Sequence, residues 1–242
     1  MEILVQGFWQ ALQLILRGDP ELIQISGRSL AVSLLATLLS AAIGIPIGIL
    51  LAATRFHGRA VLNVVVNTGM GLPPVVVGLV VSILLWRSGP FGALQLIYTP
   101  SAMVMAQLLV ALPIVAGFTR AAIESIEEEQ IDAFRVYGAA GLQLGRQLIQ
   151  AAWPGVILAV TAGFGRAIAE VGASLMVGGN IAGQTRVLTT AITLATSRGE
   201  FPRAIALGLV LLGLAFLVNI AFHWATTRQG TLAREIGHQQ FR

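Results

Sequence analysis

The chain has no cysteine and no lysine, and only 11% of its 242 residues are charged. The missing thiols exclude disulfides, thiol chemistry and cysteine-based metal sites. All fifteen basic residues are arginine, against eleven acids. Charge this sparse lies well below the ~25% of an ordinary soluble domain. No basic helix or aromatic platform is present, so nucleic acid is not an expected partner. His57, His223 and His238 stand far apart, and the sequence holds no HExxH, no GxSxG and no phosphate-binding loop. The chain is therefore not expected to be an enzyme or to hydrolyse nucleotide itself. Nor does the start read as a signal peptide: Glu2 stands where a positive residue is usual.

What is present is apolar. Hydrophobic residues make up 56% of the chain, in runs longer than the ~18 residues that suffice to cross a bilayer. Short alternating segments, the mark of a barrel, are absent. The expected fold class is an all-α membrane protein in one domain, residues 21–228, with about five transmembrane helices at 29–53, 61–86, 101–118, 153–177 and 204–225. Residues 1–20 read as an N-terminal interfacial helix carrying a stripe of Gln6, Gln10, Gln13 and Arg17; a short tilted span is the other reading. Gly18-Asp19-Pro20 ends it. Residues 229–242 read as a tail.

The longest polar interval, Glu127 to Pro154, holds four of the eleven acids together with Arg135 and Arg146. Lipid does not tolerate such groups, so the interval lies in water or against another protein. It reads as a docking surface on the cytoplasmic side. That orientation places eight arginines inside and six outside. Five spans then put the N-terminus outside and the C-terminus in the cytoplasm.

Three further features stand out, two within the spans and one beyond them. Gly71-Leu-Pro73-Pro74 breaks the second span, with Asn67 and Thr68 ahead of it to satisfy freed carbonyls. This is either a flexible gate or a packed kink. Arg166 and Glu170, four apart, are expected to share a helix face and to pair. Arg166 either faces a solute pathway, where its fork of donors suits an oxyanion, or is neutralised by Glu170. Beyond the fourth span, Asn180, Gln184 and Arg186 in GGNIAGQTRVLTTAI can meet an external partner; Gly-Gly-Asn also simply ends a helix. Residues alone thus give a five-span transporter with a docking loop. A self-sufficient secondary transporter is the competing mechanism, disfavoured by the few membrane carboxylates.

Asp132-Ala133-Phe134 followed after three residues by Gly138-Ala139 resembles the coupling loop of ABC importer permeases, with Phe134 in place of a second alanine. In order along the chain, GMGLPPVVVGL, QLLVALPIV, GFGRAIAEVGASLMVGGNIAGQTRVLTTAI and TSRGEF resemble the permease subunit of tungstate importers, and in part those for molybdate and sulfate. The resemblance implies a type I ABC importer-like fold in the plasma membrane and a cytoplasmic coupling helix within 127–154. It implies a second copy of the chain as partner, two ATP-binding subunits and an external oxyanion-binding protein. ATP and Mg would sit in the partner subunit, and this chain would hold no cofactor or metal. Asp132, Ala133, Arg135, Gly138 and Ala139 inherit the contact with the ATPase. Gly138→Val is expected to uncouple ATP hydrolysis from uptake or to prevent assembly; normal coupled transport by that variant would sink the assignment.

Overall fold

The computed structural model describes residues 2–239, with side chains as far as residue 224. Among these the regular elements are helices, in the order α1 (Glu2–Leu16), α2 (Pro20–Ala53), α3 (Arg59–Met70), α4 (Pro74–Leu85), the 3₁₀ turn η1 (Gly92–Leu94), α5 (Pro100–Glu124), α6 (Glu128–Val136), α7 (Gly141–Ala151), α8 (Trp153–Ile168), α9 (Gly172–Gly178), α10 (Leu188–Ser197) and α11 (Phe201–Gln239). Among the described residues three helices are long and apolar enough to cross a membrane: α2, α5 and the Phe201–Trp224 part of α11. Two bent pairs, α3 with α4 (107°) and α7 with α8 (84°), raise the number to as many as five. This is an all-α membrane fold. The tail expected at 229–242 lies outside the residues whose side chains are described.

Local sequence explains where the long helices begin. Gly18 takes φ 62° after α1, a conformation cheap for glycine. Asp19 then caps α2, its Oδ1 accepting from the Leu22 amide at 2.8 Å, and Pro20 occupies the first turn. Thr99 and Pro100 repeat the device at α5. α1 lies against α11: a Cβ on Gly7 would stand 2.5 Å from the Ile205 side chain. Leu14 joins Leu22, Ile25, Leu188 and Leu207 in one apolar cluster.

α5 is the hub of the bundle. It is buried along its length and touches α2, α3, α4, α8 and α9. The contacts are made through glycines. A Cβ on Gly48 of α2 would fall 2.7 Å from the Ala116 carbonyl oxygen, and one on Gly44 3.1 Å from that of Leu112. This is the small-xxx-small crossing of membrane helices, where close backbones replace the hydrophobic drive that lipid cannot supply. On the other side of α5, Gly155 of α8 sits against Ala122, and Gly163 against Val115. Gly69 of α3 meets Pro113.

Two helix breaks sit side by side in this frame. The α3–α4 break falls at Gly71-Leu72-Pro73, and the Pro73 carbonyl accepts from the amides of Val76 and Val77 to start α4. The α8–α9 break falls at residues 169–171. Gly172, opening α9, packs on Val75 of α4, and Gly78 packs on Ala173. This overturns one expectation. Arg166 and Glu170 do not share a continuous helix, and no ion pair joins them. Glu170 instead turns to cap α9, its Oε1 accepting from the Ala173 amide at 2.9 Å, while its carbonyl accepts from Thr189 Oγ1 at 3.0 Å.

The packing yields a paired test. Gly48→Ala forces a Cβ onto backbone and is expected to cost about 1–3 kcal/mol, read as a lower melting temperature of the purified protein. Gly27→Ala, in the same helix, meets nothing within 4 Å and is expected to be neutral or stabilising. Equal effects at the two positions would contradict the close α2–α5 crossing.

Candidate functional site: a coupling surface and a broken-helix core

The polar interval folds as two short helices. Glu128 and Glu129 occupy the first turn of α6, where the free amides favour negative charge, and Arg135 sits in its last turn. Arg135 Nη1 donates to Asp132 Oδ1 at 2.9 Å. Both side chains are largely exposed, so the pair orders the surface more than it stabilises it. Gly138 takes φ 87° just past α6, and its amide reaches the Arg135 carbonyl at 2.9 Å. The next amide, on Ala139, returns to the Phe134 carbonyl at 3.0 Å. This is a left-handed helix end, which favours glycine because other side chains strain there.

α6 buries no residue fully, and Ala133 is exposed. Ile131 and Phe134 lean on a cluster centred on Ile123, Leu148, Ala152 and Val156. Phe134 thus takes the inner side of α6, which explains a large side chain where the resembled motif has a small one. The outer side ends in Val136, Tyr137 and Leu142, at 84%, 89% and 93% exposure. Exposed apolar side chains outside the membrane-length helices make this stretch a candidate binding surface. Their sequence signal is weak: they are three among several bulky apolar residues of the most polar stretch. An open cavity of about 600 Å³ lies behind α6, lined among others by Arg55, Arg59, Glu124, Asp132 and Arg135. At its roof Glu124 binds Arg120 at 2.8 Å and Arg59 at 3.5 Å. Arg120 also donates to Asn63 at 2.8 Å. These bonds tie the start of α3 to the end of α5 beside α6.

At the core, Pro73 and Pro74 come beside Glu170 through the Val75–Gly172 contact. Asn67 does not join them. It is exposed, makes no side-chain hydrogen bond, and lines a separate hollow with Met70, Gly117, Arg120 and Glu124. Thr68 likewise satisfies no freed carbonyl through its side chain. Arg166, in the last turn of α8, is partly exposed and has no hydrogen bond or ion pair among the described residues. Beyond these positions, Gln107 of α5 donates to Ser174 of α9 at 3.1 Å, both fully buried, and its Oε1 is left without a partner. A lone amide in an apolar run was the available sign of that contact.

At the opposite end, α9 stops at Gly179 with φ 68°, followed by Asn180 with φ 51°. Thr185 is fully buried and holds the turn, donating to the Gly178 carbonyl and accepting from the Ile181 amide. Arg28 of α2 donates to the carbonyls of Gly183 (2.7 Å) and Arg186 (3.0 Å). Glu21 bridges Arg186 at 3.2 Å and Arg203 at 3.0 Å. Asn180 reaches the Thr190 carbonyl at 3.4 Å. Asn180 and Arg186 are therefore built into the fold, and Gln184 is left exposed. A second cavity at this end, about 890 Å³, is lined by Trp86, Arg87, Gln95 and Tyr98 among others. Gln95 and Tyr98 hold positive φ of 50° and 62°, uncommon for residues other than glycine.

This arrangement matches known proteins along most of its length. The family described as "Binding-protein-dependent transport system inner membrane component" matches residues 44–230. The chain is 40% identical over 223 residues to the tungstate uptake system permease protein TupB of Peptoclostridium acidaminophilum, covering 92% of this chain and 98% of that protein. It is 42% identical over 203 residues to a probable anion ABC transporter permease protein of Haloferax volcanii, covering 82% and 88%. The molybdenum transport system permease protein ModB of Escherichia coli is more distant, at 29% over 205 residues, 81% of this chain and 90% of that one. Among solved structures, an inward-facing form of the MetNI methionine ABC transporter shares the fold, with TM-score 0.69 at 23% identity, covering 87% of this chain and 97% of that one. The chain belongs to the family of binding-protein-dependent transport system inner membrane components.

Proposed function

We propose that this chain is the permease subunit of an ATP-driven importer and that it carries an oxyanion, tungstate first among them. The observation that carries the coupling role is the exposed tip of α6 and α7: Val136, Tyr137 and Leu142 present apolar surface beside Asp132, Ala133 and Arg135 on a helix that buries nothing fully. The substrate rests on relatives, since the two at 40% and 42% identity are named for tungstate and for an anion. Molybdate and sulfate are the alternatives within the same class, matching at 29% and 25%.

On this reading an ATP-binding subunit receives α6 and holds the ATP and Mg, and this chain holds no cofactor of its own. Two copies of the chain pair with two such subunits in the plasma membrane. Closure of those subunits on ATP pushes α6. The push passes through Ile131 and Phe134 into α7 and α8, and through Gly155 and Gly163 into α5. The breaks at Pro73–Pro74 and at Glu170 are where the pushed helices change angle, so access alternates there. With α6 in the cytoplasm, Gln184 and the loop held by Asn180 and Arg186 face the external binding protein. The N-terminus then lies outside and the C-terminus in the cytoplasm.

Two measurements test this. Tyr137→Ala is expected to weaken co-purification of the ATP-binding subunit by roughly 30-fold, the loss of about 2 kcal/mol typical of an aromatic hot spot; unchanged association would remove α6 from the interface. Uptake by the complex should be competed by unlabelled tungstate at lower concentration than by molybdate or sulfate. Stronger competition by either of the others reassigns the cargo.

A further inference from the structure

Among the described residues, Arg166 is the one charged side chain at mid-depth of the bundle that has neither a hydrogen bond nor an ion pair. Its depth follows from its neighbours. Gly163 packs against Val115 and Ala111, and Ser174 is bonded to Gln107. Arg166 lies between those levels, near the middle of α5, which runs from Pro100 to Glu124. The spacing with Glu170 would have neutralised it on a continuous helix. The break at 169–171 removes that partner: Glu170 is only 3% exposed and spends its carboxylate on the α9 amide of Ala173.

The face that carries Arg166 is also unlike a lipid face. α8 buries Val156, Ala159, Gly163, Phe164 and Ala167. Its other side shows Leu158 toward the start of α8 and then Ala162, Gly165, Arg166 and the capping Ala169, all partly or fully exposed. A Cβ on Gly165 would meet nothing within 4 Å. The turn around Arg166 carries no large apolar side chain, the nearest on this face being Leu158 two turns back, and against hydrocarbon an isolated cation would cost at least ~2.5–3.5 kcal/mol. Small residues around an uncompensated guanidinium fit a wet passage instead. The species that gains most there is anionic, because the guanidinium fork offers paired donors to the oxygens of a tetrahedral anion and its charge repels cations.

We propose that Arg166 is the charge-selecting residue of the passage, attracting the oxyanion at mid-depth while Glu170 is held away in the cap of α9. The proposal deepens the importer reading and rests on it.

The absence of cysteine makes the test direct. Ala162→Cys places a single thiol in this chain, one turn from Arg166 on the same face. In the reconstituted complex turning over ATP, that thiol is labelled with a sulfonatoethyl and a trimethylammonioethyl methanethiosulfonate, reagents that differ in charge. Both should react. Adding Arg166→Gln should lower the ratio of anionic to cationic labelling rates about ten-fold, the scale of one unit charge nearby at intermediate dielectric. Arg166→Lys, which keeps the charge, should hold the ratio within a few-fold and serves if the Gln variant fails to assemble. Two results overturn the proposal. One is no labelling of Ala162→Cys by either reagent while the exposed control Gln184→Cys reacts, which means lipid or a second copy seals the face. The other is a ratio that removal of the charge leaves unmoved, which means Arg166 is structural. Failure of the importer reading looks different: the unsubstituted complex then shows no ATP-dependent uptake at all.

Discussion

Gly48 lies so close to the α5 backbone that no side chain fits between them, and the rest of the bundle follows from that crossing. In lipid there is no hydrophobic force to press helices together, so dispersion and close backbones must do it. α5 receives α2 on one side through Gly44 and Gly48, and α8 on another through Gly155 and Gly163. Pro113 of α5 is at the same time the wall for Gly69. A helix held on so many sides cannot tilt alone. On the proposed coupling, a push on the N-terminal end of α8 would be borne by the whole frame, and angle changes would concentrate where helices are already interrupted.

Two of those interruptions, α3–α4 and α8–α9, touch each other. Breaking a helix at membrane depth leaves amides and carbonyls that hydrocarbon cannot satisfy. At the α8–α9 break they are satisfied from within: the Glu170 carboxylate takes an α9 amide, and Thr189 donates to the Glu170 carbonyl. At the α3–α4 break the Pro73 carbonyl serves two amides of the next turn. Both breaks are thus stable as folded, and both leave free surface near the bundle's middle. Gln107, bonded to Ser174 through one end and unpaired at the other, ties α9 to the rigid α5 beside them.

Much of this was legible in the residues. Apolar runs of membrane length announced the spans, because a bilayer leaves few alternatives. The polar interval at 127–154 stood out for the converse reason, and Gly138 marked the end of its first helix. The Pro-Pro pair marked the α3–α4 break, though not its 107° angle, with both helices packed on α5. The α8–α9 break was not legible. The segment from Arg166 to Glu170 contains neither proline nor glycine after Gly165, and its charges match helical spacing. What stops the helix is a threonine nineteen residues away, together with a carboxylate that finds an amide in place of a guanidinium. Asn180 and Arg186 carry a structural task that spacing alone does not announce: they hold their loop to α10 and α2. The exposed Val136, Tyr137 and Leu142 could be placed only once Ile131 and Phe134 were seen to take the inner side.

The central claim is that work done on α6 from outside the membrane drives the passage of an oxyanion through the broken-helix core. The most direct test is tungstate accumulation in proteoliposomes that contain this chain, its ATP-binding subunit and the binding protein. The account predicts uptake against a concentration gradient only when ATP is present on the side of α6, and none when the chain is reconstituted alone. Tungstate accumulation by the chain alone, driven by an ion gradient and indifferent to ATP, would contradict it.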